Sequence, residues 1–489
     1  METGGVGGRF HIRTFGCQMN SYDSARLADL LTTRLGWRPV TDATEADLVV
    51  VNTCHVREKA EEKLFSELGR LHKEVFPRRG RSRIPAAVGE GAEGVSPREV
   101  IFVVAGCVAQ SEGEAIRRRA PFVDLVVGPQ GYHELPDLLR RLPRRTPGSG
   151  RRLPIEVVAD DPAVKFAQLP ARGSTGPVAM VTVQEGCDRF CTYCVVPLTR
   201  GREWSRPVAS VEAEVREVLR GGAREVILLG QNVNAYRGVD EEGGSYDLAL
   251  LIRRLALLPG LERLRFVTSH PADMSAALVE VFAELPELCP YLHLPIQSGS
   301  DRILAAMGRG HTVAEYRSWV GRLRAARADL CLASDFIVGF PGESESDFAE
   351  TLALVEELQF DHAYAFRFSP RPGTPASRWE GGIPEAESME RLQRLQAVLH
   401  AVQWRSNRGR VGRVEAVLVE GPARLGRGEW SGRAPGFQVV NFPAVGDPTG
   451  RIVPVRITEG LPNSLRGVPL GVWGGDPLPG DVEGSWAGR

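Results

Sequence analysis

Several things are scarce in this 489-residue chain, and each scarcity closes off a class of function. No window approaches the roughly 18 uncharged apolar residues that a membrane-spanning helix requires. The opening METGGVGGRF has neither the cationic start nor the apolar stretch of a secretory signal. Together these predict a cytoplasmic address and no membrane partner. Charge of one sign is missing too: 60 Lys and Arg against 61 Asp and Glu leave a net charge of -1, which argues against a uniformly basic nucleic-acid binder and directs attention to local patches. Cysteines number only eight, and in a reducing compartment they are poor candidates for structural disulfides, so metal binding or redox chemistry is the better reading.

What is present is a long α/β text. The length exceeds one ordinary core and predicts about two to four domains. From Arg9, RFHIRTFGCQMN reads as a strand entering a loop, followed by the helical SYDSARLADLLTTRL and the buried strand ADLVVVNTC. A helix over VREKAEEKLFSELGRLHKEV, the strand VIFVVAGCVAQ, a further helix and the strand VDLVVG continue the alternation, as in a parallel α/β sheet. Cys17, Cys54 and Cys107 each stand at one strand end, where open parallel sheets place their ligands. Taken singly, each reads as an ordinary buried cysteine; jointly placed, they read as convergent. Arg78 to Gly94 lacks periodicity and is expected to be a surface loop, and LRRLPRRTPGSGRR, from Leu139 to Arg152, marks a domain boundary.

From Pro177 a second alternation begins, with strands expected at VAMVTVQEG, REVILLGQNV, LRFVTSHP, YLHLPIQS, CLASDFIVGFP and DHAYAFRFSP. Six β/α units suggest an incomplete barrel. After a helix near Met389 to Trp404 the texture changes to VGRVEAVLVEGP, FQVVNF and GRIVPVRITEGL, which read as strands of a small β-barrel. The expected division is 8-150, 173-405 and 406-470, with a disordered Gly- and Pro-rich tail over 471-489.

The strongest chemical signal is EGCDRFCTYC, which sets Cys187, Cys191 and Cys194 in a C-x3-C-x2-C array after the first strand of the six. One short loop can wrap three thiolates around three irons of a cubane and leave the fourth iron open. The alternative is a zinc site completed by a distant histidine such as His270 or His293. Cys289 and Cys331 have no cysteine neighbours and are assigned to core packing, and His55 to a loop. Arginines gather at Arg78 to Arg83, Arg140 to Arg152 and Arg405 to Arg413. The first two read as solvated linker charge and the third as a candidate phosphate contact.

At these residues the sequence resembles the radical S-adenosylmethionine superfamily, and over nearly the whole chain its methylthiotransferase branch. The motifs stand here as TFGCQMN, VNTCHVREKA, AGCVAQ, PLTRGRE, LGQNVNAY, LHLPIQSGSDRIL, DFIVGFPGE and SPRPGTPA. The resemblance implies two 4Fe-4S clusters, one on Cys187, Cys191 and Cys194 and an auxiliary one on Cys17, Cys54 and Cys107. It implies S-adenosylmethionine held by Tyr193, Gln231, Asn232, Gln297, Asp335, Ile337 and Gly339, with Tyr193 near the adenine. The last segment resembles the TRAM domain, an RNA-binding module, through VEAVLVEGP, SGRAPGFQVVNF and VRITEGLPNSLRG.

Three groups share the two-cluster plan. They modify isopentenylated adenosine beside the anticodon, threonylcarbamoyl adenosine there, or an aspartate of a ribosomal protein. GQNVNAY, RGREWSRP and the SGR to VVNF stretch are most similar to the first. That resemblance implies methylthiolation at C2 of N(6)-dimethylallyladenosine in tRNA. One S-adenosylmethionine would donate a methyl group to cluster-bound sulfur and a second would yield a radical that removes the C2 hydrogen. A flavodoxin- or ferredoxin-type protein would supply electrons, and the chain would act as a monomer. A non-enzymatic RNA-binding iron-sulfur scaffold is the remaining alternative, and no acid or base side chain is singled out.

Overall fold

Almost every strand expected from the apolar alternation is realised, and β1, β3 and β4 of the first sheet each end within two residues of a candidate cysteine. The computed structural model describes residues 8-54, 60-79, 100-142, 162-173, 176-424 and 428-471. In the first region β1 (Arg9–Phe15), α1 (Gln18–Leu35), β2 (Arg38–Pro39), β3 (Leu48–Thr53), α2 (Ala60–Arg79), β4 (Ile101–Gly106), α3 (Cys107–Arg119), β5 (Leu125–Val127) and α4 (Leu135–Arg141) follow one another. The sheet is parallel, in the order β2-β1-β3-β4-β5. β3 is buried at every position because helices cover both faces, with Val49 and Val51 in one apolar cluster and Leu48 and Val50 in the other. Helix α2 runs on through Arg79, two residues into the stretch expected to be a loop. The rest of that stretch, His55, most of 139-152 and the tail from 472 lie outside the described residues.

Helix α5 (Pro162–Gln168) leads to the second region. Here stand β6 (Val178–Thr182), the short ribbon of β7 (Gln184–Glu185) and β8 (Trp204–Ser205), and α6 (Val196–Arg200) between them. Then come α7 (Val208–Arg220), β9 (Glu225–Leu229), a ribbon of β10 (Arg237–Val239) and β11 (Ser245–Asp247), α8 (Leu248–Ala256), β12 (Arg263–Phe266) and α9 (Ala276–Glu284). The remainder is β13 (Tyr291–His293), α10 (Asp301–Ala306), α11 (Val313–Ala326), β14 (Cys331–Val338), α12 (Glu345–Leu358), β15 (His362–Arg367) and α13 (Glu385–Arg408). The six expected strands form two parallel sheets, β12-β9-β6 and β13-β14-β15, with one isolated bridge from Leu264 to Leu288 near the junction. Helix residues such as Val211, Val215, Ile252 and Phe348 pack on Val181, Val226, Leu228 and Phe336 to make the largest core.

The third region is a closed five-stranded barrel, β16 (Val414–Pro422), β17 (Glu429–Arg433), β18 (Val439–Pro443), β19 (Ile452–Gly460) and β20 (Leu465–Pro469), in the order β16-β17-β18-β20-β19. Only three of its strands are legible in the apolar alternation. EWSGR and LRGVP lack that pattern, yet both pair on two sides. The barrel is bolted to the β12-β9-β6 sheet by arginines. Arg263 donates to the carbonyls of Arg433 and Ala416, and Arg265 to those of Pro435 and Ala434, at 2.5 and 3.0 Å. Arg265 is in turn gripped by Glu225 at 2.6 Å, and neither side chain is exposed.

The first region packs on the second through Met19 and Tyr22 of α1. They share an apolar cluster with Ile227, Leu229, Val267, Tyr291 and Ala333, and Phe437 of the third region borders it. All three regions therefore meet around the strands of the second.

Candidate active site

The loop after β7 is shaped by glycine. Gly186 has φ of 75°, and a Cβ there would lie 1.9 Å from Arg202 O, so no other residue fits without moving the returning chain. Cys187 N–H donates to Gly201 O at 3.3 Å and Cys194 N–H to Cys191 O at 2.9 Å, which folds the cysteine-bearing loop back on itself. Thr192 ties the loop to the end of α10 through Ala306 O and Met307 O. Burial pushes Cys187 up to about 11 and Cys194 up to about 12, with Cys191 acting in the same direction on both. Against this, Arg309 donates to Cys191 Sγ at 3.6 Å and to Pro295 O at 2.5 Å.

Around this loop lie the residues expected to hold S-adenosylmethionine, at the carboxyl ends of the strands. Gln231 Oε1 accepts from Gly186 N–H at 2.6 Å, which joins the end of β9 to the cysteine loop. Asn232 is 1% exposed; its Nδ2 donates to Asp273 Oδ2 at 2.8 Å, while its Oδ1 is buried with no protein partner. Gln297 has φ of 80°, a costly conformation for a side chain-bearing residue, and its backbone bridges Asp335 O at 3.0 Å and Ile337 N–H at 2.9 Å. Asp335 pairs with His293 Nε2 at 3.1 Å, and Ile337 shares an apolar cluster with Tyr193, Met307 and Phe340. Gly339 has φ of 70°, and the neighbour that a Cβ would meet there is Ser388 of α13, at 2.7 Å.

The second triad is assembled from three strand ends held in register, Phe15 beside Thr53 and Thr53 beside Gly106. Cys17 is the N-cap of α1 and Cys107 opens α3, positions where the helix field favours a thiolate. The asparagines of TFGCQMN and VNTC lock the loops together. Asn20 Nδ2 donates to Asn52 Oδ1 at 3.1 Å, Asn52 Nδ2 donates to Asn20 O at 3.0 Å, and Cys17 Sγ donates to Asn20 Oδ1 at 3.3 Å. The three sulfurs converge on Cys54. Its hydrogen bonds draw Cys17 down to about 7 and Cys107 down to about 6, while Cys54 itself is pushed up, chiefly by Cys107. Cys54 and Cys107 are buried and Cys17 is exposed, so the triad opens to the surface on the Cys17 side.

Between the triads runs a buried ionic network that the sequence reading missed. Arg200 Nε donates to Cys107 Sγ at 3.4 Å and its terminal nitrogens reach Asp23 and Glu185. Lys165 Nζ meets Glu185 at 2.5 Å and Gln130 Nε2 meets it at 2.9 Å. Glu203, at the mouth, is also new: burial, with Asp273 and Asp188, raises its carboxyl to about 7. Arg200 and Glu203 both stand in the PLTRGRE stretch, which is the one signal that could have drawn attention to them.

Both triads suit iron-sulfur clusters, since each presents three thiols from a polar, hydrogen-bonded cradle. The histidines of the zinc alternative are engaged elsewhere: His270 caps a short turn through Ala272 N–H, and His293 pairs with Asp335. Cys289 and Cys331 are buried as expected, at 3% and 1% exposure. In the third arginine cluster Arg405 and Arg410 are engaged within the fold, by Gln359 at 2.8 Å and Glu415 at 2.8 Å, and Arg408 stacks on Trp404. Among the described residues no helix is long and apolar enough to cross a membrane.

The chain matches the Radical SAM superfamily over 181-355, the uncharacterized protein family UPF0004 over 9-128 and the TRAM domain over 408-470. A cobalamin-binding radical S-adenosylmethionine methyltransferase, TsrM from Kitasatospora setae, superposes with a TM-score of 0.52 at 16% identity, covering 76% of this chain and 77% of that one, a likeness of fold alone. Fold and cysteine loop thus define a radical S-adenosylmethionine enzyme. The tRNA-2-methylthio-N(6)-dimethylallyladenosine synthase of Magnetococcus marinus is 56% identical over 94% of this chain and 98% of its own length. That of Halorhodospira halophila is 49% identical over 96% and 94%. The chain belongs to the tRNA-2-methylthio-N(6)-dimethylallyladenosine synthase family.

Proposed function

We propose that this chain methylthiolates C2 of N(6)-dimethylallyladenosine beside the anticodon of tRNA. The observation that carries the reading is the convergence of Cys17, Cys54 and Cys107 next to the Cys187 loop, in a chain that also ends in a TRAM barrel. The division 8-150, 173-405 and 406-470 fits the three matched segments, one within each. In this reading the two three-stranded sheets of the second region are the halves of an incomplete (β/α)6 barrel.

Cys187, Cys191 and Cys194 would hold one 4Fe-4S cluster and Cys17, Cys54 and Cys107 the auxiliary one. With S-adenosylmethionine, these groups supply one-electron carbon-hydrogen cleavage and the sulfur to be transferred. The protein's part is placement. Tyr193 and Ile337 offer an apolar wall for the adenine, Asn232 Oδ1 an unused buried acceptor, and Gln231, Gln297, Asp335 and Gly339 the polar rim and backbone turns at the strand ends. The working form is a cytoplasmic monomer that takes electrons from a flavodoxin- or ferredoxin-type donor.

The test is mass spectrometry of tRNA nucleosides from a bacterial strain that lacks its own enzyme for this step and expresses this chain. The expected result is the 2-methylthio derivative of N(6)-dimethylallyladenosine, absent with Cys187→Ala. Soluble, iron-loaded protein without that product would move the reading to threonylcarbamoyl adenosine or a ribosomal-protein aspartate.

A further inference from the structure

Arg200 is the last residue of α6, which starts two residues after Cys194 and rises about 7.5 Å over its five residues. The chain beyond it is pinned to the other end of the cysteine loop, through the Cys187 N–H bond to Gly201 O and the close approach of Gly186 to Arg202. The backbone of Arg200 therefore belongs to the Cys187–Cys194 loop. Its side chain serves the other triad. Nε donates to Cys107 Sγ at 3.4 Å, and the terminal nitrogens donate to Asp23 Oδ2 at 2.6 Å and Glu185 Oε1 at 3.4 Å. The residue is 3% exposed, so these charges act with little screening by water. Asp23 and Glu185 already balance Arg200 and Lys165, so a thiolate at Cys107 is an added negative charge, and Arg200 is the cation that touches it.

We propose that Arg200 is a positioning residue that sets the reduction potential of a cluster on Cys17, Cys54 and Cys107. The inference rests on the two-cluster reading. A hydrogen bond and a positive charge at a ligating sulfur stabilise the reduced, more negative cluster and so raise its potential. Three acceptors around one guanidinium demand the planar fork of arginine, and a lysine would reach fewer of them.

The experiment uses the full chain, reconstituted anaerobically, with iron counting and redox titration followed by electron paramagnetic resonance. To read each cluster separately, one background carries Cys187→Ala, Cys191→Ala and Cys194→Ala, and the other Cys17→Ala, Cys54→Ala and Cys107→Ala. In the first background Arg200→Gln should lower the midpoint potential or leave the triad unfilled. Arg200→Lys, which keeps the charge, should lower it less, and it supplies the measurement if Arg200→Gln does not fold. In the second background the shift should be smaller. A filled auxiliary triad with an unmoved potential in both variants, or an equal shift of the two clusters, would overturn the role of Arg200. A count of roughly four irons in the unmodified chain would instead remove the second cluster, and with it the reading beneath the proposal.

Discussion

The two cysteine triads solve one chemical problem by opposite routes. Cys187, Cys191 and Cys194 lie on one loop, held by local turns and a single glycine with no room for a side chain. Cys17, Cys54 and Cys107 come from three loops whose meeting depends on the register of β1, β3 and β4. The local triad is cheap in chain entropy and can form wherever its loop forms, whereas the dispersed triad needs the sheet first. Their electrostatics differ as well. Burial raises Cys187 and Cys194, and the positive partner is one bond from Arg309, while helix starts, Cys54 and Arg200 favour thiolates at Cys17 and Cys107. In the first site burial holds the Cys187 and Cys194 thiols neutral, and in the second the fold lowers Cys17 and Cys107 while Cys54, between them, is pushed up.

The contrast can be broken one side at a time. The largest expected effect is that of Cys187→Ala, which should abolish reductive cleavage of S-adenosylmethionine and all methylthio product, measured by chromatography of 5'-deoxyadenosine and of nucleosides. Cys17→Ala should stop product formation yet keep cleavage, with iron falling from roughly eight to roughly four per chain; loss of cleavage there would mean that the triads are not separable. Gly186→Ala comes next, since its Cβ collides with backbone at Arg202: it should cost on the order of 1–3 kcal/mol locally and deplete only the loop cluster, read by iron content and thermal unfolding. Asn52→Ala is the matching lesion in the dispersed site. It removes buried bonds to Asn20 and Ser24, costs about 1–3 kcal/mol, and should deplete only the auxiliary cluster. The smallest effect belongs to Cys289→Ala, which should leave the iron content intact and cost on the order of 1 kcal/mol.

Legibility in the sequence follows the same divide. The loop triad was readable because its spacing is local, and the six strands because they are apolar runs between helical segments. The dispersed triad was readable only as three strand ends. What holds it was not: Arg200 reaches Cys107 across 93 positions and Asp23 across 177, and no periodicity encodes such contacts. Asn20 and Asn52 lie in the TFGCQMN and VNTC motifs, but their mutual hydrogen bonds link residues 32 positions apart and leave no mark in either motif. The break between the two sheets of the second region, and strands β17 and β20, escaped for a related reason, since backbone pairing makes them and their side chains do not announce it.

The arginine bolts between β12 and the C-terminal barrel have a mechanical consequence. A swing of that barrel would strip buried guanidinium groups of four backbone carbonyls at once, Ala416, Arg433, Ala434 and Pro435, and would leave Glu225 facing an unsatisfied cation. The module is therefore a bracket and not a tethered hand. The position of the barrel relative to the second region is thus written into buried backbone acceptors and not into a flexible linker.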